Sequence, residues 1–302
     1  MRLFSEIKLV ITNLERKIKL KHKSFSMEKD GFVGHLAETD ENSDTAVIVI
    51  MGGEKSVLPA IKVAERFAEY GIVGLAVSLY DAEGLPKSVD RIPLDMFKCA
   101  ISYLKNELKI KKVSIYGMSM GSLFAAMTAI NIGEVDSVIM VSPSHTIFEG
   151  SDNKKHMTGH SLMTLNGKEF PFVKQDFENK AMWQAFNDAY KDKKLEENAS
   201  IPIEKIKARI LLIASDSDES WPAGYSVKYM EKRLKANNFV YDYKTIIYPN
   251  ASHALGVLPN KKSHKLLYIL MPLAFNNERK FKADCQKARG LSEKEIIKWI
   301  KA

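Results

Sequence analysis

Residues 112–126, KVSIYGMSMGSLFAA, combine three local signals. Val113-Ser114-Ile115-Tyr116 has the composition of a short strand, and it runs directly into Gly117-Met118-Ser119-Met120-Gly121. Small and apolar residues suited to a helix follow. Strand, tight turn and helix in that order are the setting in which G-x-S-x-G forms a nucleophile elbow. A serine held on a strained turn needs neighbours without side chains, because the backbones on either side crowd together. Its hydroxyl then stands clear of the sheet, and the amide of Met120, at the helix N-terminus, can face an oxyanion. The same pattern also fits a plain strand-to-helix turn with an incidental serine. An acid and a histidine at later strand ends would decide between the two.

Upstream of this segment, residues 45–51 are an almost continuous β-branched run, as expected for a strand buried on both faces, and they end in Gly52-Gly53. Positions 57, 60, 61, 64, 67 and 68 form a helical stripe closed by Gly71. Residues 72–79 read as the next buried strand. A turn-rich stretch, 81–90, leads to a helix expected to begin at Pro93, with Leu94, Phe97, Ile101, Leu104 and Leu108 on its buried face. Nearer the N-terminus, residues 1–15 suit a short helix. Residues 16–27 and 32–38 suit two strands joined through Asp30-Gly31.

Downstream, residues 137–141 are another strand. The alternation of strand and helix predicts a mostly parallel central sheet with right-handed crossovers and helices on both faces. The rhythm breaks across residues 144–203, which mix turn residues with Phe148, Phe170, Phe172, Phe177, Trp183, Phe186 and Tyr190, with a helix expected around 179–190. This stretch reads as an insertion over the strand ends, either peripheral or a lid on an apolar pocket. Strand 208–214, helix 221–237, strand 241–248 and a closing helix near 292–300 complete the chain.

At 302 residues, 45% hydrophobic and 27% charged, the chain suits one large α/β domain. Its longest apolar runs are far too short to span a bilayer. No extended hydrophobic leader is read at the N-terminus, and Cys99 and Cys285 are the two cysteines, so a reducing cytoplasm is expected. The net charge of +8 is spread among acids, with one modest basic cluster at 16–23 and no nucleic-acid-binding signature. It is read as a solvated basic surface that could also attract an anionic substrate.

Ser119, an aspartate after strand 208–214 (Asp216 or Asp218) and His253 each follow a strand, in the order Ser, Asp, His. That is the order of α/β-hydrolases, and in a parallel sheet the three positions share the carboxyl edge. Serine needs a base in contact, and the base needs an acid to fix its tautomer. The remaining histidines, His22, His35, His145, His156, His160 and His264, offer no zinc-site spacing, and no metal or cofactor is expected.

Several further motifs stand in register with the elbow: YDAEGLPK at 80–87, IPLDMF at 92–97, LNGKEFP at 165–171, IPIEKI at 201–206 and SDESWP at 217–222. Together they resemble the acyl-CoA thioesterase and bile acid-CoA:amino acid N-acyltransferase C-terminal domain family over roughly residues 30–300. The resemblance implies an α/β-hydrolase fold with Ser119 as nucleophile and His253 as base. Asp218 is the implied acid, four residues before Pro222 in the aspartate-x-x-tryptophan-proline run, with Asp216 in reserve. The amides of Met120 and Gly53 are the implied oxyanion hole, although Gly52-Gly53-Glu54-Lys55-Ser56 is less glycine-rich than is usual for the family.

Mammalian relatives carry a β-sandwich domain ahead of this one. Here residues 1–44 read as an extension with the leading strands, so a single hydrolase domain over 1–302 without that sandwich is expected. The amino-acid-conjugating members of the family use cysteine as nucleophile, so Ser119 favours hydrolysis. The expectation is a serine hydrolase that cleaves an acyl-CoA thioester through an acyl-enzyme, with Phe170, Phe172 and Trp183 lining the acyl pocket. Its rivals are a carboxylester or amide hydrolase or an N-acyltransferase on the same triad, and a non-catalytic binding protein on the same scaffold.

Overall fold

The computed structural model describes residues 19–53, 56–152, 154, 156–178 and 180–302. The helix expected within 1–15, the start of the basic cluster, and Glu54 and Lys55 of the glycine loop lie outside the described residues.

Eight strands make the central sheet: β1 Lys21–Phe25, β2 Gly34–Glu38, β3 Thr45–Ile50, β4 Val73–Val77, β5 Lys112–Met118, β6 Ser137–Val141, β7 Arg209–Ser215 and β8 Tyr243–Tyr248. Their order across the sheet is β1-β2-β4-β3-β5-β6-β7-β8. Strand β2 runs antiparallel to both neighbours, and the other pairings are parallel. From β3 the chain builds to one side through β4, and from β5 it builds to the other. The sheet therefore has its topological switch point between β3 and β5, where a crevice opens at the carboxyl ends.

Eight helices of seven or more residues are described: α1 Leu58–Ala68, α2 Met96–Ser102, α3 Met120–Asn131, α4 Met182–Ala189, α5 Lys193–Ala199, α6 Ala223–Ala236, α7 Lys265–Ala274 and α8 Lys282–Lys301. The sheet separates two cores. Along β3, Ala46, Ile48 and Ile50 face one core while Val47 and Val49 face the other. Along β5, Val113 and Ile115 face the first, and Tyr116 and Met118 face the second. This is the period-2 alternation of a strand buried on both faces. Residues of α2, α3 and α6 fill the first core, and residues of α1 and α8 fill the second.

Three local expectations change. Ile92–Pro93 is not a helix start but a short strand paired in parallel with Met163–Leu165. The amides of Ile92 and Leu94 donate to the carbonyls of Leu162 and Thr164, so the alternation turns Pro93, which has no N–H, away from the ladder. The connection after β1 is a helical turn, Met27–Asp30, closed by Gly31 at φ +74°. Helix α8 begins ten residues earlier than expected, and α7 is a helix that the sequence reading did not place.

Candidate active site

The elbow follows from its two glycines. A Cβ on Gly117 would come within 2.6 Å of Ser122 Cα and overlap the Gly121 carbonyl; one on Gly121 would overlap the carbonyls of Ile50 and Met51. Strand β5, helix α3 and the end of β3 thus meet with no room for a side chain. Between the glycines, Ser119 adopts φ +59° and ψ −131°, a costly conformation for a residue with a Cβ. Its amide donates to the Val141 carbonyl at 2.9 Å, and its own carbonyl accepts from Ser122 Oγ at 2.6 Å. The turn is pinned to β6 on one side and to α3 on the other.

Asp218 and His253 arrive from the loops after β7 and β8. His253 Nε2 lies 2.8 Å from Ser119 Oγ, and Nδ1 lies 2.7 Å from Asp218 Oδ2. A carboxylate only accepts, so Nδ1 carries the proton and Nε2 is left to accept from the serine hydroxyl. His253 and Asp218 are both buried. The other oxygen of Asp218 accepts from the amides of Ser220 at 2.8 Å and Trp221 at 3.4 Å, which fixes the carboxylate plane. Asp216 takes no part in this array: it is exposed and paired with Lys228 at 2.8 Å.

A cavity of about 750 Å³ opens in front of Ser119. Met120 and Gly53 line it beside the serine, and the Tyr80 hydroxyl donates to the Gly53 carbonyl at 2.5 Å. Its apolar wall is built by Phe148, Met157, Phe177, Met182, Phe186 and Phe275. Of the insertion between β6 and β7, therefore, a part does stand over the serine. The residues expected there do not: Phe170, Phe172 and Trp183 are not among the lining residues. Phe170 and Phe172 pack instead against the core on the α2 and α3 side. On α4, Phe186 and Met182 are cavity-lining and Trp183 is not, a distinction made by the rotation of one helix.

Tyr80 and Phe275 are among the contributors that the sequence reading did not assign to the site. Tyr80 stands just past β4 at the carboxyl edge, and that strand-end position was a usable signal. Phe275 follows α7 and carried none. Among the described residues, no group of three or more His, Cys, Asp and Glu side chains is placed to hold a metal ion.

Residues 92–288 match the family model described as BAAT / acyl-CoA thioester hydrolase C terminal. The chain belongs to this family. Ser119, Asp218 and His253 all fall inside the matched span of the BAAT / acyl-CoA thioester hydrolase C-terminal family, and Gly53 lies before it. The mouse peroxisomal succinyl-coenzyme A thioesterase is 26% identical over 189 residues, covering 62% of this chain and 43% of that protein. The rat acyl-coenzyme A thioesterase 1 is 21% identical over 192 residues, covering 63% and 44%. This chain thus spans less than half the length of these relatives within the alignments. The Pyrococcus furiosus esterase Pf2001 superposes with a TM-score of 0.50 over 82% of this chain and 88% of that one, at 16% identity. The fold is that of the α/β-hydrolases.

Proposed function

We propose that this protein is a serine hydrolase that cleaves an acyl-CoA thioester by way of an acyl-enzyme on Ser119. The observation that carries the reading is the unbroken relay Asp218–His253–Ser119, which ends at a cavity with an apolar wall. Ser119 Oγ attacks the thioester carbonyl while its proton passes to His253 Nε2, and Asp218 stabilises the imidazolium. The amides of Met120 and Gly53 receive the developing oxyanion. The thiol leaves with the proton from His253. Water then gives a proton to His253 and attacks the ester carbonyl, and His253 returns that proton to Ser119 Oγ as the free acid leaves.

The apolar wall suits the acyl chain, and the curated relatives are named as acyl-CoA thioesterases, which supports a thioester as the substrate. Water is the proposed acceptor. An oxygen ester on serine is less activated towards an amine than a thioester, and free amines are mostly protonated near neutral pH. The proposed compartment is the cytoplasm, in keeping with the free thiols of Cys99 and Cys285. No helix among the described residues is long and apolar enough to cross a membrane.

The test is thiol release from acyl-CoAs of graded chain length, with wild type and Ser119→Ala, and mass analysis of products with glycine or taurine in excess. The reading expects thiol release that the variant lacks, with free acid as the main product. Cleavage of simple esters without any of acyl-CoAs would replace it with a carboxylesterase, and a majority of N-acyl product with an acyltransferase.

A further inference from the structure

Helix α7 is built the opposite way round from α1. In α1 the apolar stripe Ala60, Val63, Ala64 and Phe67 is buried against the sheet. In α7, KLLYILMPLA, only Met271 is buried. Leu266, Ile269, Leu270 and Leu273 are 66, 68, 46 and 77% exposed. Their spacing, i, i+3, i+4, i+7, gathers them on one side of the helix, so they form a continuous apolar stripe facing outward. A surface that gathers large apolar side chains in this way marks a binding face.

The chemistry of the rim narrows the partner. Exposed lysines border the stripe: Lys261, Lys262 and Lys265 lead into the helix, and Lys280 and Lys282 follow it. Three of the first four also line a groove beside α7, together with Lys282. The carboxylates in that groove are engaged, Glu278 with Arg289 and Glu293 with Arg66. The far end of α7 leads to Phe275, which lines the cavity and whose ring lies 6.2 Å from that of His253.

We propose that α7 is a docking element that seats this protein on the surface of an anionic lipid bilayer. The leucine stripe enters the acyl region while the lysines pair with negatively charged headgroups. At ten residues the helix is too short to span the bilayer, so it lies in the interface. A second copy of the chain fits less well, because a two-fold contact through this face would bring the lysine rims together. The inference stands apart from the acyl-CoA reading, since it rests on the surface of α7 and not on the reaction.

The test is flotation of the full chain with phosphatidylcholine vesicles, with and without about 30 mol% phosphatidylserine, at low salt and at about 0.5 M salt. Two variants are compared: Leu266→Ser/Ile269→Ser/Leu273→Ser and Lys261→Gln/Lys262→Gln/Lys265→Gln. Thermal unfolding checks that both fold. Wild type is expected to float with the anionic vesicles and to be released by salt. Each variant should lose at least about ten-fold in apparent affinity. The proposal falls if wild type stays in solution with the anionic vesicles, or if the leucine variant binds as well as wild type. It falls equally if wild type is a dimer that the leucine variant dissolves while vesicles are ignored, which would assign the face to a second copy.

Discussion

The Trp221 indole stands edge-on to the His253 imidazole, with ring centroids 4.9 Å apart at 84°. Its N–H donates to the Ser142 carbonyl at 3.1 Å, and Ser142 Oγ in turn donates to the His253 carbonyl at 2.8 Å. Its own backbone amide reaches Asp218. One side chain therefore braces the loops that carry the acid and the base. Trp221 also meets Phe186 at 5.2 Å, which joins the cavity wall to the same brace.

Trp221→Ala is expected to destabilise the fold by about 3–5 kcal/mol, from the cavity left in a buried cluster. Trp221→Phe keeps most of the packing but leaves the Ser142 carbonyl without its donor, at about 1–3 kcal/mol. Denaturant unfolding measures both. In the phenylalanine variant, kcat should fall by up to about 10²-fold as the imidazole loses its fixed orientation. A phenylalanine variant with wild-type turnover would remove Trp221 from the positioning of His253.

The two aspartates after β7 should behave differently. Asp218→Asn leaves His253 Nδ1 without its acceptor and is expected to cost about 10³ to 10⁴ in rate. Asp216→Asn removes a surface pair with Lys228 and should leave turnover within about a factor of two, since such pairs contribute about 0–1 kcal/mol. Steady-state rates on one ester or thioester substrate separate the outcomes. A crippled Asp216→Asn beside a mild Asp218→Asn would reverse the assignment.

A second buried array predicts how stability depends on pH. His145 Nε2 lies 3.0 Å from Glu196, and Nδ1 lies 3.0 Å from Ser226 Oγ, which ties α5 to α6. Burial holds the His145 imidazole below its ordinary value of 6.5 in spite of the carboxylate. For Glu196, burial acts to raise the value, but hydrogen bonds from His145, Lys193 and Tyr225 outweigh it and bring it down to about 2. Both groups therefore bind protons more readily in the unfolded chain, and acid favours unfolding. The His145 contribution is present above 6.5 and is lost as pH falls below that value. The Glu196 contribution is present above 4.5 and is lost as pH falls towards about 2. The thermal midpoint should drop steadily from about pH 7 to about pH 2, and Glu196→Gln should flatten the part of the curve below about pH 4.5. A midpoint constant over that range would contradict the account.

The cavity wall predicts which substitutions retune acyl preference. Phe148 and Phe186, both cavity-lining, meet edge-to-face with their ring centroids 5.1 Å apart. Replacing either with alanine should shift the ranking of acyl substrates towards bulkier or longer chains. Phe170→Ala and Trp183→Ala should leave that ranking unchanged. Relative kcat/KM values across a chain-length series would show it, and an unaltered ranking in Phe148→Ala and Phe186→Ala together would place the acyl chain elsewhere.

The sequence by itself determined the sheet and the order of its parts. Strands buried on both faces appear as short β-branched runs, and the helices between them as stripes at helical spacing, because each signal arises within a few residues. The elbow was legible for the same reason: Gly117 and Gly121 answer a clash between backbones that adjoin in sequence or sit at the end of a neighbouring strand. Ser119, Asp218 and His253 could be nominated because parallel strands place their carboxyl ends on one edge. What only the tertiary structure decided is which side chains converge once the edge is formed. Asp216 and Asp218 stand two residues apart and diverge, one towards Lys228 and the other towards His253, according to how the loop after β7 turns. Phe186 reaches the cavity and Trp183 does not, although both lie on one short helix. Phe275 enters from the end of α7, a helix that the sequence reading did not place. A cavity wall is assembled from contacts between segments remote in the chain, and such contacts leave no periodicity in any one of them.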